Sequence, residues 1–286
     1  MKKYLLSAFA DEASSLLDGQ VAALKRNGIK NIEIRNLDGS CIIDRGETYV
    51  KEVKLRLDSE GIGVSAIGSY IGKYNITLPL EPHLEAHKRA INAAQILGTE
   101  RLRMFSFFIP KGEDPADYRG RVMENMNRLL DMCDGTGVVC CHENESGIYG
   151  NTAERVLDLH TTLGSRLKGI FDPANYIQNH ENPPEIFESI YPFTEYLHIK
   201  DALLSDGAVV PAGDGDGDIS GILERFSRAE DVRLLTVEPH LTVFAGLKDL
   251  QSEGLKHKFT YESQDAAFDA AVTALKNILN GGYDYE

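Results

Sequence analysis

Tryptophan is absent from the 286 residues, cysteine occurs four times, and positive charge is in deficit. Each shortage excludes something. No pair among Cys41, Cys133, Cys140 and Cys141 has zinc-knuckle or redox-motif spacing, so free, mostly buried thiols in a reducing cytoplasm are expected. Thirty Lys and Arg against 44 Asp and Glu give a formal charge of −14. Such a surface repels phosphate backbones and argues against nucleic acid as a partner. No apolar run approaches the roughly 20 residues that cross a bilayer, so no membrane partner is expected. The short apolar run after Lys2 and Lys3 breaks at Asp11-Glu12 and reads as a strand, not as a signal peptide.

What is present is a regular alternation of short β-rich runs and longer amphipathic ones. Strands are expected at 4–9, 31–35, 63–68, 101–105, 137–142, 167–171, 196–200 and 233–237. Helices are expected at 16–27, 49–60, 84–97, 118–133, 152–163, 184–190, 219–227 and 265–279, with Gly98 as one C-cap and Thr152 as one N-cap. Eight β-then-α units in series imply parallel strands with right-handed crossovers. An open doubly wound sheet also alternates in this way. The count of eight, a length near the ~250 residues of a closed barrel, and Ala10-Asp11-Glu12-Ala13-Ser14 where a glycine-rich phosphate turn would stand favour an α/β fold of the (β/α)8 TIM-barrel type. No linker divides the chain, so residues 1–286 are expected to form one domain.

Chemistry in such a barrel collects at the C-terminal ends of the strands. Strand five runs into His142-Glu143-Asn144-Glu145, strand six into Asp172-Pro173-Ala174-Asn175, strand seven into His198-Ile199-Lys200-Asp201 and strand eight into Glu238-Pro239-His240. One such residue alone is an ordinary helix cap, turn or surface charge. Four consecutive strands delivering a carboxylate or imidazole to one rim point to a metal, because unpaired carboxylates on an apolar wall are costly to desolvate. Three carboxylates and an imidazole suit one divalent ion, Mn²⁺ first, with Mg²⁺, Co²⁺ or Zn²⁺ as alternatives. Glu143 and Glu238 are placed to exchange a proton with a carbon beside a carbonyl. Cys140 and Cys141 read as core, and the Gly213–Asp218 run reads as a turn because it lacks the glutamate of a calcium loop. Tyr70, Phe105, Phe107 and Phe244 are aromatic candidates for the rim.

At these residues the sequence resembles the xylose isomerase-like TIM barrels of the sugar phosphate isomerase/epimerase type. The motifs are Ser7-Ala8-Phe9-Ala10-Asp11-Glu12, Ile32-Glu33-Ile34-Arg35, His142-Glu143-Asn144-Glu145 with Gly147-Ile148-Tyr149-Gly150, Phe171-Asp172-Pro173-Ala174-Asn175, His198-Ile199-Lys200-Asp201, Gly213-Asp214-Gly215-Asp216 and Val237-Glu238-Pro239-His240. The resemblance implies Glu143, Asp172, His198 and Glu238 as metal ligands and Glu143 and Glu238 as the acid/base pair. It leaves His142, Glu145, Asn175, Lys200 and His240, which lie beside the ligands, as candidates to contact substrate or to support the ligands. Two departures separate the chain from the ketose 3-epimerases: Asn175 and Leu204 stand where those enzymes usually carry a histidine and an arginine. The three-zinc apurinic endonucleases of the same superfamily need histidines that this chain lacks at Ser69–Gly72, Ser106–Phe108, Asn175 and everywhere between His198 and His240.

The expected activity is a divalent-metal-dependent isomerisation or epimerisation of a small polyhydroxylated carbonyl compound, a sugar or its phosphate, through an enediolate. The alternatives are a dehydratase of an inosose or sugar acid and a non-catalytic sugar-binding barrel. Phosphate recognition is not evident, the segment 246–260 has no assigned element, and a homo-oligomer is left open.

Overall fold

The computed structural model describes residues 3–228, 231–243 and 259–286. Eight parallel strands close into a barrel: β1 (Lys3–Ala8), β2 (Asn31–Ile34), β3 (Gly63–Ile67), β4 (Arg101–Met104), β5 (Val139–Glu143), β6 (Leu167–Phe171), β7 (Thr194–Ile199) and β8 (Arg233–Val237). Each pairs with its sequence neighbour, and β8 returns to β1 in the register Tyr4 to Arg233 through Ala8 to Val237. The (β/α)8 expectation is met, and most strand and helix bounds fall within three residues of those read from the sequence. Phe244 and most of 246–260 lie outside the described residues.

The helices are α1 (Leu17–Arg26), α2 (Glu47–Ser59), α3 (Glu81–Leu97), α4 (Pro115–Cys133), α5 (Ala153–Leu163), α6 (Pro173–Gln178), α7 (Pro183–Ile190), α8 (Ile219–Phe226) and α9 (Gln264–Leu279). Gly98 closes α3 in the left-handed conformation at φ 76°, and Thr152 caps α5 by accepting the Arg155 N–H. Helix α6 is a helix the pattern did not give. It is six residues long, starts at Pro173 and is capped by Asp172. A helix of that length has no apolar period to read. A short strand, Asp284–Tyr285, also runs beside β1 at Lys3 and Tyr4. Among the described residues, no helix is long and apolar enough to cross a membrane.

Strand alternation divides the apolar residues in two. Outward residues such as Leu6, Ile34, Leu102 and Cys140 join the helices in the main core. Inward residues Ala66, Cys141, Ile170, Tyr196 and Leu234, with Leu5 and Val139, make a separate apolar plug. The same alternation then carries β5, β6, β7 and β8 upward by even steps, from Cys141 to Glu143, Ile170 to Asp172, Tyr196 to His198 and Leu234 to Glu238. The barrel is thus filled with aliphatic and aromatic side chains below and with ionisable ones above.

Candidate metal centre

Glu143, Asp172, His198 and Glu238 are buried, and one ligand atom from each lies within 4.8 Å of the others. The four come from β5 and from the residues after β6, within β7 and after β8, as their shared inward parity requires. His198 Nδ1 is 2.9 Å from Glu143 Oε1 and 3.6 Å from Glu238 Oε2. Asp172 divides its carboxylate between two tasks. Oδ1 accepts the Asn175 N–H at the start of α6, while Oδ2 accepts no hydrogen bond and lies 2.9 Å from Lys200 Nζ. The turn-forming reading of this residue is met by Oδ1, and Oδ2 is left facing the cluster.

Around the four stands a layer of buried charged residues, of which Glu33 and Arg35 belong to the strand-two motif and Arg103 to none. Arg103 donates to Glu143 Oε2 at 3.0 Å and packs over Phe9 and Phe105. Arg35 donates to Asp11, Glu12 and Glu238, and lies 4.3 Å from the Phe9 ring centroid. Glu33 accepts the Tyr196 hydroxyl at 3.0 Å and faces His198 Nε2 at 3.2 Å. The missed signal was parity. Glu33 and Arg35, and Arg103 and Phe105, alternate on strands that must point one face into the barrel. Charged residues at inward positions of a closed barrel have only one another, or a ligand, as partners.

The remaining candidates are distributed unevenly. Lys200 reaches the cluster and donates to Glu238 Oε2 at 3.0 Å. Asp201 turns the other way and accepts N–H bonds from Ala202, Gly213, Gly215 and Gly217 rather than pairing with Lys200. Those bonds also organise the Gly213–Asp218 run as a turn. Asn175 donates to the Asn144 carbonyl at 2.9 Å and to Glu143 Oε1 at 3.4 Å. Its own Oδ1 is buried and accepts no hydrogen bond. His240 lies 3.6 Å from Glu238 Oε1 and 3.4 Å from Glu12 Oε1. Glu145 pairs with Lys73 at 2.9 Å, and that ammonium sits 4.6 Å from the Phe105 centroid. His142 is not brought to the cluster. It has the opposite parity to Glu143, and its Nε2 lies 3.0 Å from Ser106 Oγ. Of the aromatic candidates, Phe105 lines the cluster, Phe107 packs in the outer core beside His83, and Tyr70 donates to Asp44.

The charge balance tests whether an ion fits. Asp11, Glu12, Glu33, Glu143, Asp172 and Glu238 are buried together with three cations, Arg35, Arg103 and Lys200. Burial pushes the Asp172 carboxyl up to about 7 although Lys200 opposes it. Burial likewise pushes Glu12 up to about 8 against the pull of Arg35. Burial would raise Glu143 too, but His198 and Arg103 hold it down to about 2. Burial would lower the His198 pKa, yet Glu143 and Glu33 hold it well above the usual imidazole range. The cluster is thus short of positive charge, and its donor set of three carboxylates and an imidazole nitrogen is that of a divalent cation. Residues and group fit.

The family model of the xylose isomerase-like TIM barrel matches residues 21–254, and the chain belongs to that family. Among curated proteins, none matches the sequence. Solved structures share the fold at low identity. An L-ribulose 3-epimerase has a TM-score of 0.74 at 17% identity, covering 98% of this chain and 95% of its own. The IolI protein with a bound zinc atom has a TM-score of 0.72 at 15% identity, covering 98% and 99%. The probable 3-DHS dehydratase AsbF of Bacillus anthracis, involved in petrobactin synthesis, has a TM-score of 0.70 at 16% identity, covering 97% and 99%.

Proposed function

We propose that this protein is a divalent-metal-dependent isomerase or epimerase of a small polyhydroxylated carbonyl compound. The observation that carries the reading is the convergence of Glu143, Asp172, His198 and Glu238 on one point inside a charge-deficient cluster. These four would hold the ion, proposed as Mn²⁺. When bound, such an ion holds adjacent substrate oxygens and stabilises negative charge developing on them.

The chain's own residues supply the rest. Glu143 and Glu238 each offer a carboxylate oxygen at the cluster, one able to take a proton from a carbon beside the carbonyl and the other able to return it. Arg103 fixes Glu143, and Arg35 with Lys200 fixes Glu238, so neither carboxylate rotates away. Asn175 and His240 border the same space and are proposed to contact substrate hydroxyls. Glu145 is proposed to act there through its pair with Lys73. Free thiols and the strongly acidic balance agree with a cytoplasmic enzyme of small molecules.

The test is solvent deuterium incorporation into a panel of ketoses, their phosphates and inososes. Glu143→Gln and Glu238→Gln are expected to keep the wild-type far-ultraviolet circular dichroism, and they are assayed at Mn²⁺ concentrations that saturate a weakened site. Each is expected to lose exchange by roughly 10²–10⁴-fold. Exchange at the wild-type rate in both variants would reject the proton-transfer assignment. A product lighter by one water would instead identify a dehydratase using the same base.

A further inference from the structure

A second set of ligand-type side chains lies outside the barrel interior, between its wall and the helices. His87 on α3, Cys133 at the end of α4 and Cys140 on β5 are buried and offer three donor atoms within 4.8 Å of one another. Cys133 Sγ is 3.5 Å from His87 Nε2 and 3.3 Å from Cys140 Sγ. From these residues we propose a second metal site, specific for a thiophilic d¹⁰ cation such as Zn²⁺ and separate from the oxygen-rich centre at the barrel mouth.

Geometry supports the assignment. With Zn–S near 2.3 Å and Zn–N near 2.0–2.1 Å, tetrahedral angles place sulfur about 3.5 Å from nitrogen and two sulfurs about 3.8 Å apart. The Cys133 sulfur–nitrogen spacing already matches, and the Cys140 sulfur lies within 4.8 Å of the imidazole donor. The sulfurs need to separate by about half an ångström, which small side-chain rotations at the end of α4 provide. Without a metal, His87 Nε2 donates to the Leu129 carbonyl at 3.0 Å, and binding exchanges that hydrogen bond for the metal bond. Nδ1 of the same ring makes no hydrogen bond and can take the proton that Nε2 gives up, after which Nε2 is able to coordinate.

Charge and hardness support it as well. Binding displaces one proton from each thiol to solvent. Two thiolates and a neutral imidazole then cancel the charge of a divalent ion, so the loaded site is neutral in its apolar surroundings. Two thiolates select Zn²⁺ over Mg²⁺ or Mn²⁺, whereas the carboxylate centre accepts the harder ions. Strand parity separates the neighbouring thiols. Cys140 belongs to the outer core, while Cys141 faces the barrel plug and takes no part. Sequence spacing concealed the set because its members lie on three elements, and His87 was never a candidate. The ion would tie α3 and α4 to β5, the strand that ends in Glu143.

The experiment is a titration of the reduced full-length protein with Cd²⁺ in excess Mg²⁺, read by the ultraviolet sulfur-to-metal charge-transfer band. The carboxylate centre has no sulfur and gives no such band, so the outcome does not depend on the proposed activity. The expected result is a band saturating at one equivalent, retained in Cys141→Ser and Cys41→Ser and abolished in Cys133→Ser and Cys140→Ser. His87→Ala is expected to weaken binding at least tenfold. Should a serine variant fail to fold, cadmium-113 NMR of the wild-type chain decides: a resonance in the range of mixed sulfur and nitrogen coordination is expected. Three results would overturn the proposal: no band at several equivalents, a band that survives both serine variants, or a Cys133–Cys140 disulfide in protein kept under reductant.

Discussion

Glu33 illustrates what one buried carboxylate does for another residue's chemistry. It faces His198 Nε2, on the opposite side of the ring from the nitrogen beside Glu143 and Glu238. A ligating imidazole whose remote N–H is held by a carboxylate has its tautomer and ring plane fixed. Glu33→Gln is therefore expected to weaken Mn²⁺ binding by roughly 10–100-fold, measured by calorimetry, while leaving the far-ultraviolet circular dichroism unchanged. His83 is a contrasting case with no part in the cluster. Its Nε2 accepts the Gly72 N–H at 2.7 Å, and burial lowers its pKa to about 4. The unfolded chain takes up a proton near pH 6.5 that the native chain refuses until about 4. His83 thus contributes its full stability above pH 6.5 and loses it as the pH falls toward 4. The slope is about 1.4 kcal/mol per pH unit at most for this one group. Urea unfolding from pH 7 to 4.5 is expected to show a shallower acid loss in His83→Gln, which keeps an acceptor but cannot titrate.

At the scale of elements, the loop after β3 shows how tightly the rim is built. Gly72 has φ 89°, and a Cβ there would stand 1.9 Å from the Phe105 carbonyl oxygen. Neither the conformation nor the backbone contact leaves space for a side chain. Gly72→Ala is expected to destabilise the fold by roughly 2–4 kcal/mol, seen as a lowered urea midpoint with an unchanged slope. The helices and strands themselves were legible because each barrel strand carries a continuous or alternating apolar run and each long helix a 3.6-residue period. Helix α6 was not, since six residues starting at a proline carry no period. Strand ends gave Glu143, Asp172, His198 and Glu238, because these residues break apolar runs at matching places. Arg103 and Glu33 sit inside strands, where only knowledge of which face is inward separates them from surface charges. His142 shows the same limit from the other side: adjacent to Glu143 in sequence, it is turned to Ser106 by one step of the pleat.

For the molecule as a whole, the four candidate ligands belong to four neighbouring staves, so an ion at their centre cross-links the second half of the barrel. An ion that binds only the native chain stabilises it by about 2.7 kcal/mol at a hundred times its Kd. Addition of Mn²⁺ to chelator-treated protein is expected to raise the thermal midpoint, and Asp172→Asn is expected to abolish most of the rise in a scanning fluorimetry assay. The family fold was readable from the order of eight units and their strand-end residues. Substrate choice was not, because Asn175 and Leu204 depart from the epimerase pattern and the groups proposed to contact substrate come from loops without a period.

The seam between β1 and β2 has a different consequence. These two strands share register only at Ser7 and Ala8, and the lower part of β1 is hydrogen-bonded instead to the segment 284–286: Leu6 N–H to the Glu286 carbonyl, and Glu286 N–H to the Tyr4 carbonyl. The other edge of that strand is held by β8, more than two hundred residues away. A nascent or refolding polypeptide accordingly completes most of its hoop before the opening stave has neighbours on both sides. Sealing is then a late event, costly in loop entropy and slow by topology, and protection of the Leu6 amide in pulse-labelled refolding would trail that of β5–β7.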